Sequence, residues 1–242
     1  MPLKEDAAAI KKILASSEVP VCTLLKDENG KPKDRSRLES YQVEFKRITE
    51  SLYELTLQES DPKAELKTIR LNGVSADGLC IKLDNFGIHF FAAETGNTSC
   101  DYLVLTDYEN EKYALFIELK TSIETSPSKG KLSLTNAGDQ RKALQLNSGS
   151  ARFDYLCSVV NKLRGSTVIQ ASTYERLFFV LYIHERNISP SQGSASLTGS
   201  CNFFHKEIAA IKVQDAQTMT VRDLIEAWNL VCQSSTSAGN KQ

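Results

Sequence analysis

The stretch from Cys100 to Lys120, CDYLVLTDYENEKYALFIELK, holds the residue types best suited to chemistry. Asp101 opens one apolar run, and Glu118 and Lys120 close the next. Side chains two apart on a strand share a face, so Glu118 and Lys120 project together while Leu119 points into the packed side. A hairpin turning about Asn110 brings Asp101 to the same end as Glu118 and Lys120. Two carboxylates and an ammonium then surround one point. Hard divalent ions such as Mg²⁺ or Mn²⁺ take oxygen ligands and keep several waters while one or two carboxylates anchor them. Such an ion polarises a phosphate and acidifies a bound water, and a neighbouring lysine orients that water or offsets developing charge. The set suits metal-assisted hydrolysis of a phosphodiester. Glu-x-Lys alone is weak evidence, since a solvated ion pair has the same spelling. The apolar frames YLVL and ALFI, abutting the charged residues directly, are what favour a site at a sheet edge.

The other reactive side chains form no comparable set. His89 falls in a period-two segment and His184 after an apolar one, positions that suit packing or hydrogen bonding, and His205 has no recognisable company. The six cysteines, Cys22, Cys80, Cys100, Cys157, Cys201 and Cys232, show neither a CxxC nor a Cys/His zinc spacing and read as reduced, buried thiols. Lys129, Lys131, Arg141, Lys142 and Arg152 cluster after the motif strand, where they are either a solvated surface or contacts to a phosphate backbone. No GxSxG, Walker A, GxGxxG or HExxH occurs.

The elements that must position the site follow from hydrophobic periodicity. A first helix is expected over 3–16. Leu38, Tyr41, Phe45, Ile48, Leu52 and Leu55 recur at three and four residues, which predicts an amphipathic helix over roughly 36–57, ended by Asp61-Pro62. From about 66 to 120 the period becomes two, giving strands at KTIRLNG, GLCIKLD, GIHFFAA, DYLVLTD and KYALFIELK in an antiparallel meander. A Ser/Gly/Thr-rich loop is expected over 121–138. Two helices divided at Ser148-Gly149-Ser150 should follow, then a buried strand at ERLFFVLYI, a loop over 189–200, a strand near 203–213 and a helix near 220–232. This order predicts an α/β fold in which a mixed β-sheet is flanked by α-helices, one domain over 1–235 with a polar tail at 236–242.

Composition sets the outer limits. The chain has 242 residues, 41% of them hydrophobic and 24% charged, which excludes a collagenous or wholly disordered protein. No apolar run reaches the roughly 18 residues that a membrane-spanning helix needs. The start MPLKEDAAAIKKIL reads as a charged helix and not as a secretory leader, so a cytoplasmic location is expected. With 29 Lys+Arg against 30 Asp+Glu, a formal charge of −1, tight nucleic-acid binding through charge alone is disfavoured.

CDYLVL followed by FIELK resembles the PD-(D/E)XK nuclease superfamily. Asp101 matches the first acid of its motif, with Cys100 in place of the preceding proline, and Glu118 and Lys120 match the second part. The resemblance covers about residues 36–185 in element order. It implies a restriction-endonuclease-like fold, a core of four mixed strands flanked by helices, dependence on Mg²⁺ or Mn²⁺, and cleavage of DNA more often than RNA. It also suggests a setting in bacterial or phage defence. The helix after the motif, DQRKALQLNSGSARFDYL, resembles one that carries a Gln or Lys facing the site, a place for Gln140 or else Lys142 or Gln145. A further acidic ligand is implied, either Glu94, alternatively a turn residue, or Glu44, alternatively a solvated helix flank. One site per near-neutral chain suggests a homodimer or a partner protein for double-strand cutting. The competing function is a catalytically silent nucleic-acid-binding or assembly subunit with the same fold.

Overall fold

The chain folds around the hairpin that carries the motif residues. The structure, a computed structural model, describes residues 2–14, 21–23, 44–59, 61–83, 99–128, 131–133, 137–164, 169–187, 198–201 and 206–239. In chain order the elements are helix α1 (Leu3–Leu14), strands β1 (Val21–Thr23), β2 (Glu44–Arg47), β3 (Leu52–Gln58), β4 (Thr68–Ser75), β5 (Leu79–Lys82), β6 (Tyr102–Tyr108), β7 (Glu111–Ser128) and β8 (Lys131–Ser133), helix α2 (Ala137–Arg164), strands β9 (Glu175–Asn187), β10 (Thr198–Cys201), β11 (Lys206–Lys212) and β12 (Gln217–Thr220), and helix α3 (Val221–Gly239). No helix among the described residues is long and apolar enough to cross a membrane.

The result is a mixed α/β architecture with two mixed sheets. The larger runs β1-β5-β6-β7-β8-β10-β11-β9, and a direct β7–β9 pairing closes β7, β8, β10, β11 and β9 into a ring. The smaller runs β12-β4-β3-β2. Strands β5, β6 and β7 form an antiparallel meander, and α2 crosses over to place β9 parallel to β7. The β6–β7 turn has Glu109 at φ 51° and Asn110 at φ 68°. Both positive values suit a two-residue hairpin turn whose twist matches its strands. Every residue from Tyr113 to Leu119 is buried, as expected of a strand covered on both faces.

Alternation sorts the two faces. Tyr102 and Thr106 reach the smaller sheet: the Tyr102 hydroxyl donates to Gln58 O at 2.7 Å and accepts from Gln58 N at 2.9 Å, and Thr106 Oγ1 accepts from Ser75 N at 3.0 Å. Phe116 faces the other way, stacked on Phe178 and edge-on to Phe153 of α2. Trp228 of α3 packs against Phe178 and Phe179. Helix α1 is fixed by buried Asp6, whose Oδ2 accepts from Lys112 Nζ and the Tyr174 hydroxyl, each at 2.7 Å.

The expected helix over 36–57 is not formed in its described part. Residues 44–58 are instead the antiparallel pair β2–β3, with Glu44 opposite Thr56. Leu52 and Ile48, which a helical stripe would bury, are 38% and 45% exposed, whereas Tyr53, Leu55 and Leu57 are buried at period two. The three-and-four spacing was a coincidence within an alternating run of LYELTLQ. Nor do residues 66–120 form one meander: the Ala76-Asp77-Gly78 turn carries the chain from β4 in one sheet to β5 in the other. Strand β7 continues through the expected loop to Ser128, and α3 runs to Gly239. Strands β1 and β12 lie where none was expected. The GIHFFAA segment lies outside the described residues.

Helix α2 passes unbroken through Ser148-Gly149-Ser150. Gly149 is there for close approach and not for a break. A Cβ built on it would meet Cys100 Sγ at 2.5 Å and the side chains of Leu83 and Phe116 at 3.3 Å. Gly149→Ala gains about 1 kcal/mol of helix propensity, but overpacking a filled core costs about 1–3 kcal/mol. The expected result is a lower thermal midpoint, read by circular dichroism. A midpoint that rises would mean the contact yields freely.

Candidate active site

The hairpin register extends one step beyond Tyr102↔Ile117, which sets Asp101 opposite Glu118. The two acids clasp each other's backbone. Leu119 N donates to Asp101 Oδ2 at 2.6 Å, and Asp101 N donates to Glu118 Oε2 at 3.2 Å. Glu118 is fully buried and Asp101 is 7% exposed. Lys120 Nζ stands 2.5 Å from Glu118 Oε1, with its side chain 28% exposed. This contact is close enough for an ion pair but lacks hydrogen-bond alignment, so Oε1 is buried with no aligned donor.

Electrostatics follow from this crowding. Burial first, and Glu118 second, push the Asp101 carboxyl well above the ordinary carboxylate range, and Lys120 offsets this only in part. Burial likewise raises Glu118 to about 7 against the pull of Lys120. Burial acts to lower Lys120, but the charges of Glu118 and Asp101 outweigh it and leave the ammonium strengthened. Cys100, beside Asp101, is driven well upward by burial and then by the two acids, so its thiol stays neutral and is no nucleophile.

A third carboxylate belongs to this neighbourhood. Glu59, partly buried, acts on Asp101, Glu118 and Lys120 through its charge. It follows Gln58, the residue held at both backbone atoms by Tyr102, and its Oε1 accepts from Asp61 N at 3.0 Å. Nothing in the local sequence marks Glu59; packing of the smaller sheet on Tyr102 brings it in. The chain beyond it borders the same strand, where Glu65 N donates to Thr121 Oγ1 at 2.8 Å and Glu65 Oε2 meets His184 Nε2 at 2.6 Å.

Of the expected site residues, Asp101, Glu118 and Lys120 are brought together. Gln140 lies in the first turn of α2 and Lys142 follows in the same helix, but their side chains lie outside the described residues, as does that of Glu44. Glu94, His89 and His205 lie outside them altogether. Gln145 reaches the motif through its backbone, accepting from Cys100 N at 3.0 Å. Arg152, expected at a surface that could meet phosphate, is instead buried and donates to Leu83 O at 2.7 Å, while Leu83 N donates to Asp101 O at 2.8 Å. It is a prop for the Asp101 backbone, since a guanidinium can satisfy a carbonyl that no strand reaches. The described basic cluster thus loses Arg152. Of the rest, Lys129 lies outside the described residues, and Lys131 and Arg141 have no described side chain.

Among the described residues, no three His, Cys, Asp or Glu side chains converge closely enough to hold an ion by themselves. The Asp101–Glu118 pair fits a cation of one kind, a hard ion that takes oxygen ligands and keeps most of its water. Glu118 Oε1 is buried without an aligned donor, but Lys120 Nζ lies 2.5 Å from it, so an ion there would have to take the ammonium's place.

Two outcomes separate site from scaffold. Leu119, fully buried between the charged pair, should cost about 2–5 kcal/mol when cut to alanine. Glu118→Gln keeps an oxygen for Asp101 N and removes a buried charge, so its midpoint should match or exceed wild type near pH 8. Linkage gives the second. A carboxyl at about 7 in the native state, against 4.5 ordinarily, binds more protons folded than unfolded between those values. Stability of the metal-free protein therefore falls as pH rises through that window, and the raised Asp101 carboxyl adds to the fall. Thermal midpoints in chelator from about pH 5 to about pH 8 should decline, and Glu118→Gln should flatten the decline. A flat wild-type profile would contradict the burial of charge.

No protein-family model, no curated protein and no solved structure matches this chain.

Proposed function

We propose that this chain is a divalent-metal-dependent nuclease of the PD-(D/E)XK kind, built on a restriction-endonuclease-like core and acting on DNA in preference to RNA. The observation that carries this reading is the buried cross-strand pair Asp101–Glu118 with Lys120 against it. The antiparallel meander β5-β6-β7, followed by a crossover helix and a parallel β9, supports this reading, since such a core would contain four mixed strands flanked by helices.

Asp101 and Glu118 would hold a Mg²⁺ or Mn²⁺ ion. When bound, the ion supplies a polarised phosphate and an acidified water. The chain's own residues do the rest. The backbone clasp keeps both carboxylates at one end of the hairpin without rotamer search, which is preorganisation in a site largely shut off from water. Lys120, on the exposed side of the pair, offers an ammonium to a non-bridging phosphate oxygen by a charge-assisted hydrogen bond. Two acids and no ion would repel a phosphodiester, so cleavage requires the metal.

The test is cleavage of plasmid, linear duplex and single-stranded substrates with Mg²⁺ or Mn²⁺, and with chelator. Cleavage should need the ion. Glu118→Gln and Lys120→Ala should each lose about 100-fold or more in rate while keeping the wild-type circular dichroism spectrum. A folded Glu118→Gln protein that cuts at the wild-type rate would end the assignment. Metal binding without cleavage of any substrate would favour a nucleic-acid-binding or assembly subunit.

A further inference from the structure

We infer that Lys120 is a built-in counter-ion that a divalent cation must displace from Glu118 as it binds. The inference rests on the metal-site reading above and adds what happens to the lysine. Three observations carry it. Lys120 Nζ sits 2.5 Å from Glu118 Oε1, the one oxygen of the site pair that is buried without an aligned hydrogen-bond donor. Two other oxygens of the pair are already engaged, Glu118 Oε2 by Asp101 N and Asp101 Oδ2 by Leu119 N. And the Lys120 side chain is 28% exposed, whereas Glu118 is sealed, so the ammonium has a way out and the carboxylate has none.

An ion bound at Oε1 would sit about 2 Å from that oxygen. It could not share the place with an ammonium already against the same atom, because like charges so close repel strongly wherever water is scarce. The ion therefore exchanges with Lys120 at Oε1. The freed ammonium swings toward the exposed side, where a phosphate would approach. Loading the metal and presenting the lysine become one event, and the metal-free site is held closed by its own cation.

The experiment uses the full chain and metal alone, with no nucleic acid. Calorimetric titration with Mn²⁺ near pH 8.5 compares wild type, Lys120→Met and Lys120→Arg, each first checked for folding by its thermal midpoint. Lys120→Met should bind Mn²⁺ roughly three- to tenfold more tightly, since its apolar chain does not compete for Oε1, and Lys120→Arg should stay within about twofold of wild type. In parallel, the wild-type protein is labelled with acetic anhydride with and without Mg²⁺, and acetylation at Lys120 is read by peptide mass spectrometry. Labelling should rise severalfold with the ion. If wild type binds Mn²⁺ and Lys120→Met binds equally or more weakly, the counter-ion proposal falls and the metal site stands. If neither protein binds the ion, both fall. Should Lys120→Met fail to fold, labelling of the wild-type protein decides, and unchanged acetylation at Lys120 overturns the proposal.

Discussion

Two buried carboxylates on neighbouring strands repel each other, and the centre of this structure is arranged to hold them together anyway. Asp101 takes the Leu119 amide and Glu118 takes the Asp101 amide, so each acid is bonded to the backbone that carries the other. Separating the acids would break both hydrogen bonds and the hairpin end with them. The arrangement therefore converts the cooperativity of a β-ladder into a fixed distance between charges. Burial raises both carboxyls, which is the expected response of an acid moved out of water beside another acid. A chain that needed only a stable hairpin end would place an apolar pair there.

Much of the surrounding structure serves to keep that hairpin end still. Tyr102 leaves the site on the opposite face and locks Gln58 through both its backbone atoms, and Lys82 adds a bond to Gln58 O at 3.3 Å while lying over the Tyr102 ring. This joins the small sheet to the large one beside Asp101 and sets Glu59 within electrostatic reach. On the helix side, Gly149 lets α2 close onto Cys100, and the Gln145 carbonyl and Arg152 complete the backbone bonding around Cys100 and Leu83. Residues on both sides of the sheet thus converge on the two that flank Asp101.

How much of this was legible in the sequence depends on how local the cause is. Period two places Glu118 and Lys120 on one face and Leu119 on the other, but it does not foresee that Glu118 is as fully buried as Leu119 while Lys120 keeps 28% exposure. The meeting of Asp101 with Glu118 needed only a turn at Asn110 and equal strand lengths, both set by short-range chemistry. The segment 44–58 misled because Phe45, Ile48, Leu52 and Leu55 satisfy a helical period while LYELTLQ alternates. What decides is whether a partner strand exists, and β4 supplies it from beyond the Asp61-Pro62 turn. Gly149 looked like a break because propensity sees only the missing side chain, not the thiol that fills its place. Glu59 and the burial of Arg152 are products of sheet-on-sheet and helix-on-sheet packing, which no window of sequence contains.

A second buried acid, Asp6 of α1, offers a comparison for the Asp101–Glu118 pair. Asp6 of α1 is as deeply buried as Glu118, and its partners are one ammonium and one hydroxyl, both aligned on Oδ2 at 2.7 Å. One negative charge meets one positive charge, with Lys112 also over the Tyr174 ring at 5.2 Å, and no second carboxylate is bonded into the set. At the hairpin end the same kind of lysine faces two clasped acids with a third nearby, and its contact with Glu118 is close without being aligned. Removing a partner from a buried pair is costly because it leaves a charge uncompensated. In the Asp6 cluster one ammonium offsets the one carboxylate, although Asp6 Oδ1, like Glu118 Oε1, is buried without a hydrogen-bond donor. At the hairpin end two carboxylates share one lysine, and that surplus of acid over base is what sets the Asp101–Glu118 pair apart.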